Sequence, residues 1–224
     1  MAPPPIVNAT IQSAMLAASS NFLAQALMAY RKETPFVIDW VPMFQFVLFA
    51  LISTPPNFLW QEFLETTFPA YHASPTREAV ASAAAGDERE LEREAREGRL
   101  VEPRLNIGNT AAKFALDQTA GAAVNTFLFS AFMHSIQAAM AGPSLPGQNP
   151  LVPLPAIDYA RVDWATVLRR SRAEFFTLLS AGWRLWPLVS LINFTLVKSV
   201  EGRNLLAGLA GLAWGVYVSL IAAS

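Results

Sequence analysis

Lys113 and Asp117 stand four residues apart in a stretch otherwise poor in charge, and Gln118 follows directly. At that spacing two side chains share one helix face, so the ammonium and the carboxylate can neutralise each other in apolar surroundings. Asn21 and Gln25 repeat the spacing with neutral amides. Arg184 lies between Trp183 and Trp186, where it can snorkel or stack on an indole, and Asn193 lies deeper in the same apolar stretch. Polar groups set into apolar helices face a bundle interior, because lipid cannot solvate them. Two roles fit them: a polar path between helices for water, ions or small solutes, or hydrogen bonds and ion pairs that lock the helices together.

Other chemistry finds little support. His72 and His134 are isolated, with no second ligand at metal spacing. Glu62 and Glu65 are close but sit at the edge of an apolar run, without an acid or base partner pattern. There is no phosphate-binding Gly-rich loop and no nucleophile elbow. Cysteine is absent, which excludes disulfides and thiol chemistry. The reading is therefore no enzyme, no cofactor and no metal. The net charge of −1 argues against a nucleic-acid partner.

The elements that hold these residues are uncharged runs. Only 15% of the 224 residues are charged, against about 25% in a typical soluble domain. Six Arg and eight acidic residues crowd between Arg77 and Arg104, so the rest of the chain is poorer still. Crossing a bilayer takes about 20 mostly apolar residues. Stretches 40–61, 113–141, 175–197 and 204–223 reach that length, and 6–30 reaches it with weaker hydropathy. The expected fold is all-α: one membrane domain over 1–224, a multi-span helical bundle of four spans with a marginal fifth, whose partner is the lipid bilayer. Trp40 and Trp60 are 20 residues apart, about 30 Å along a helix, as two interfacial belts require. Pro55–Pro56 should kink that helix or end it near Thr54.

Two segments differ. Residues 70–104 form a charged polar insert, read as a short solvated helix or a flexible segment, with Asp87 as N-cap and ion pairs Glu92–Arg96 and Arg89–Glu92. Residues 142–158 form a Pro-rich connector. The following stretch, with Arg161, Arg169, Arg170 and Arg172 among apolar residues, suits a helix on the headgroup surface before entry at Phe175. Ala207, Gly211 and Gly215 share a face and imply a close helix contact, within the chain or in a homo-oligomer. No Lys or Arg precedes Arg31, so no leader of the secretory or mitochondrial type is expected. The basic loops are too evenly divided to orient the chain.

Trp183, Trp186, Pro187, Asn193, Phe194, Val197 and Arg203, followed by Trp214, Tyr217 and Ser219, resemble the signature of the Mpv-seventeen / twenty-two-kilodalton peroxisomal membrane protein family. Lys113-x-x-x-Asp117-Gln118 looks like that family's K-x-x-x-D-Q. Pro55, Trp60 and Leu64 look like its W-Y-x-x-L region, and Asn21-x-x-x-Gln25 stands where the family has Gly-Asp-x-x-x-Gln. Ser190 replaces a family Gln, Lys198 a Pro, Phe58 a His, Gln61 a Tyr and Asn21 an Asp. The resemblance implies a multi-span organellar membrane protein, in the peroxisomal or inner mitochondrial membrane. It also implies a non-selective pore for small metabolites or, alternatively, a non-conducting scaffold. The absence of a transit-like N-terminus favours the peroxisome. The candidate lining is Asn21, Gln25, Lys113, Asp117, Gln118, Arg184 and Asn193.

Overall fold

The computed structural model describes residues 3–142 and 156–222, with side chains as far as 216. Helices dominate, as expected. α1 (Pro5–Arg31) starts with proline in its first turn, where the missing N–H has no helical partner to lose, and ends on Arg31, whose charge suits a C-terminus. α2 (Trp40–Thr67) starts where the Asp39 carboxylate accepts from the Val41 amide at 3.0 Å. It continues through Pro55 and Pro56 to Thr67, so the prolines do not end it.

The insert is more ordered than a flexible loop. Strand β1 (Tyr71–Pro75) pairs antiparallel with β2 (Val101–Leu105), with Tyr71 opposite Leu105 and Pro75 opposite Val101. Between them stand α3 (Arg77–Ala85) and α4 (Glu88–Arg96). Gly86 separates them at φ 66°, the left-handed conformation glycine adopts without a Cβ clash, and Asp87 caps α4 as expected. Glu92 pairs with Arg96 at 3.0 Å, but the i,i+3 pair is Glu90–Arg93 and not Arg89–Glu92. Period-2 patterning is too short in these strands to announce a sheet. The ladder arises because two five-residue segments meet at the base of a helical hairpin.

The third apolar run is divided. α5 (Ile107–Leu116), capped by Asn106, passes into a π-helical turn (Asp117–Gly121), then α6 (Ala122–Ala139). After a short 3₁₀ turn (Tyr159–Arg161) come α7 (Trp164–Gly182), α8 (Trp186–Leu196) and α9 (Val200–Ala222). Most of the Pro-rich connector, residues 143–155, lies outside the described residues, as do the side chains of Tyr217 and Ser219.

α1 packs on α2 and on α9, and α6 packs on α7. The α1–α9 contact is close because glycine leaves room. A Cβ at Gly208 would sit 2.6 Å from Leu16 Cδ1, and one at Gly215 would sit 2.5 Å from Ser20 Oγ. Gly215 thus belongs to a contact within the chain, while the Gly211 position meets Trp186 at 3.9 Å. Phe46 and Phe49 of α2 meet Phe129 and Phe132 of α6, with ring centroids 5.2–6.3 Å apart.

Among the described residues α2 alone is long and apolar enough to cross a membrane as one helix. α7 and α8, bent by 56°, make a second candidate if counted together. The number of spans therefore does not follow from helix length and composition. Two of the expected runs are altered by polar features, the amides of α1 and the π turn with Asp117 after α5, while the expected run 204–223 falls in α9 and extends past the described side chains.

Candidate functional site: an ion cluster and a polar turn

Glu65, near the C-terminal end of α2, meets Lys113 of α5. Lys113 Nζ lies 2.8 Å from Glu65 Oε2, with its side chain 0% exposed. Arg203, from the first turn of α9, brings Nη1 within 2.6 Å of the same oxygen and is 1% exposed. That approach is a charge contact and not an aligned hydrogen bond, since Nη1 makes no hydrogen bond of acceptable geometry. Arg203 Nε donates to the Val197 carbonyl at 3.0 Å, and Glu65 Oε1 accepts from the Ala70 amide at 3.0 Å. Both cations lie over the Phe194 ring, Lys113 Nζ 5.3 Å and Arg203 Cζ 5.5 Å from its centroid, close enough to be attracted to it. Asn193 Nδ2 donates to the Arg203 carbonyl at 3.3 Å. Two buried cations thus share one carboxylate.

This corrects one expectation. Lys113 pairs with Glu65 and not with Asp117. The i,i+4 rule describes an isolated helix. Here a carboxylate from the neighbouring helix reaches the ammonium.

Asp117, at the first position of the π turn, is held by neutral donors. Its Oδ1 accepts from Gln61 Nε2 at 3.0 Å and from Trp60 Nε1 at 3.4 Å. Its Oδ2 accepts from the Ser190 hydroxyl at 2.6 Å and from Gln118 Nε2 at 3.1 Å. Gln118 Nε2 also reaches Ser190 Oγ at 2.8 Å, and Trp183 Nε1 donates to the Gln118 carbonyl at 3.1 Å. π turns are rare and concentrate at functional sites, because the extra residue redirects the side chains around it. Gly121 belongs to this arrangement: a Cβ there would lie 2.9 Å from Trp60 Nε1.

The remaining candidates lie elsewhere. Gln25 Nε2 donates to Asn21 Oδ1 at 2.7 Å and to the Asp39 carbonyl at 2.8 Å, while Gln25 Oε1 accepts from the Asp39 amide at 2.7 Å. This pair latches the α1–α2 connection, about 33 Å along α2 from Gln61. Arg184 is exposed at the α7–α8 bend. Trp60 is an Asp117 partner and not simply an interfacial anchor. Glu65, Gln61 and Ser190 went unrecognised as site residues. Glu65 and Gln61 sit one turn apart on the α2 face that meets Lys113 and Asp117, a weak signal in sequence. Ser190 stands where the family has Gln, and it still supplies a hydrogen bond to Asp117.

The stretch 183–203 therefore does structural work at both clusters: Trp183 and Ser190 at the π turn, Asn193, Phe194 and Arg203 at the ion cluster. Pro187 starts α8, where its fixed φ suits the first turn, and Trp186 packs beside Gly182. Together these features define a helical bundle in which Lys113 and Arg203 are buried against Glu65 and Asp117 is held by neutral donors. Residues 160–219 match the Mpv17 / PMP22 family. A relative from Dictyostelium discoideum, PXMP2/4 family protein 3, is 40% identical over 57 residues, which cover 25% of this chain and 30% of the relative. No solved structure matches. Over this C-terminal region the chain is similar to the Mpv17 / PMP22 family, and the matched stretch spans under a third of the relative's length.

Proposed function

We propose that this chain is a multi-span organellar membrane protein that passes small polar metabolites between its helices, with the Asp117 turn as the polar waist. The spans would be 40–61, 113–141, 175–197 and 204–223, with 6–30 as a marginal fifth. The observation that carries the reading is Asp117, a half-buried carboxylate in the helix body that only neutral donors contact. A charge so placed is costly in a bilayer and typically marks a solute or ion path. The family match supports an organellar membrane, the peroxisomal membrane first and the mitochondrial inner membrane as the alternative. Reconstitution into planar bilayers tests the pore: conductance is expected from pure protein and should change in Asp117→Ala. Silent bilayers would refute it.

A non-conducting scaffold is the second reading, favoured by the ordered and highly charged excursion between Tyr71 and Leu105. Deleting 79–99 separates the two. A scaffold loses co-purifying proteins and its location, whereas a pore keeps its conductance.

A further inference from the structure

The first half of α7 carries a face that no described element covers. Ala165, Leu168, Arg169, Arg172 and Phe176 follow at helical spacing, so they share one side, and all five are exposed. Leu168 is 41% exposed and Phe176 77%. The opposite side is taken up by packing: Val167, Ser171 and Leu179 are buried, and the Ser130 hydroxyl of α6 donates to Ser171 Oγ at 3.2 Å. α7 is continuous from Trp164 to Gly182. Arg169 and Arg172 are therefore built into the helix that runs on into the proposed span 175–197, about two turns and one turn before it.

This face holds two guanidiniums and no carboxylate. The nearby acids are used on other sides. Asp163 caps the helix, accepting from the Ala165 and Thr166 amides. Asp158 pairs with Arg161 at 3.0 Å. Glu174 turns to α6, where both its oxygens lie 3.1 Å from His134 Nε2. Arg169 donates to the neutral Thr166 hydroxyl at 3.2 Å, and neither Arg169 nor Arg172 enters an ion pair among the described residues. At the start of the helix the exposed rings of Tyr159 and Trp164 stack, 5° apart in plane and 6.2 Å between centroids. Such rings settle at headgroup level. Along α7 the order is thus aromatic pair, two cations, bare Phe176, which matches a phospholipid read from headgroup to chain.

We propose that this face of α7 binds an anionic phospholipid, its phosphate held between Arg169 and Arg172 and its acyl chain laid on Phe176. Residues three apart on a helix have Cβ atoms about 5–6 Å apart, so both guanidinium forks can reach one phosphate. The absence of a carboxylate on the face selects the headgroup. The ammonium of a choline or ethanolamine headgroup finds no counter-charge there and is repelled by the arginines, whereas a headgroup without one keeps the full attraction. A free polyanion would satisfy the arginines but leave Leu168 and Phe176 in water; a lipid covers both.

The lipid site rests on the membrane reading and is independent of the pore. The full chain, purified in detergent, is mixed with phosphatidylglycerol or phosphatidylcholine of identical acyl chains, and native mass spectrometry reads the affinity for each. Wild type should prefer phosphatidylglycerol, and the preference should shrink as salt is raised. Arg169→Gln and Arg172→Gln should each weaken phosphatidylglycerol binding about fivefold at low salt, and the double variant about twenty-five-fold. Both positions are exposed, so the fold should survive either change. Arg93→Gln/Arg96→Gln, which removes the same charge from α4, should keep the preference. Equal affinity of wild type for the two lipids overturns the proposal. So does a preference that survives the double variant, or displacement of the lipid by excess inorganic phosphate. Alkaline carbonate washing of membranes checks the underlying reading. A chain that is released overturns both, and a chain that is retained but shows no lipid preference overturns this site alone.

Discussion

Replacing Glu65 with glutamine should destabilise the protein more than removing either of its partners. Wild type holds two cations and one carboxylate in contact, with the Lys113 and Arg203 side chains 0% and 1% exposed. Glu65→Gln keeps the shape but leaves two buried like charges and no anion. Breaking one buried pair by removing a partner costs about 3–5 kcal/mol, so this variant belongs at or above the top of that range. Lys113→Met instead removes the desolvated ammonium and leaves Glu65 paired with Arg203, a neutral set. Its expected cost is less than half as large. The double variant Glu65→Gln/Lys113→Met leaves one unpaired cation and should recover part of the loss, giving a favourable coupling of about 0.5–3 kcal/mol in a double-mutant cycle. For a chain of this size, the Glu65→Gln loss corresponds to a Tm decrease of about 6–20 °C. Unfolding in detergent, followed by tryptophan fluorescence, reads all four proteins. The reasoning fails if Glu65→Gln costs less than about 1 kcal/mol, or if Lys113→Met is the more damaging change.

Gly121→Ala should push the Trp60 indole off Asp117, destabilising by about 1–3 kcal/mol as overpacking does, with a shift in tryptophan emission. Gln25→Ala releases both ends of the Asp39 backbone clamp. Faster amide exchange is expected at the start of α2, while conductance stays unchanged. Asp163 caps α7, and hydrogen bonds from the Thr166 hydroxyl and amide hold its carboxyl below the usual carboxylate range. A carboxyl depressed in the folded state stabilises at neutral pH, and that contribution is lost as pH falls through its folded value. Protection of the Ala165 and Thr166 amides, taken relative to their intrinsic exchange rate at each pH, should therefore be flat near neutrality and fall only in acid. Asp163→Asn should remove the acid-dependent part.

Much of the local structure was legible in residue types. Asp39, Asp87, Asn106 and Asp163 cap helices because a short side chain with a free oxygen can satisfy the first amides of a helix. The Asn21–Gln25 spacing correctly implied contact, since both residues lie on one continuous helix. The same rule failed for Lys113 and Asp117. The ammonium had a choice of partners, and a carboxylate 48 positions away was better placed. The two strands escaped notice because five residues carry too little pattern to stand out beside two charged helices.

By itself, the sequence determined an all-α chain poor in charge, the charged excursion and the 183–203 signature. These depend on composition, local periodicity and the caps, all set by near neighbours. The tertiary structure alone decided which charges meet. Glu65 collects Lys113 and Arg203, Ser190 reaches Asp117 across 73 positions, and the π turn aims Asp117 at Trp60 and Gln61. The reason is that partner choice for a buried charge depends on which helices pack together. A buried charge takes the nearest available counter-charge in space, and distance along the chain has no bearing on it.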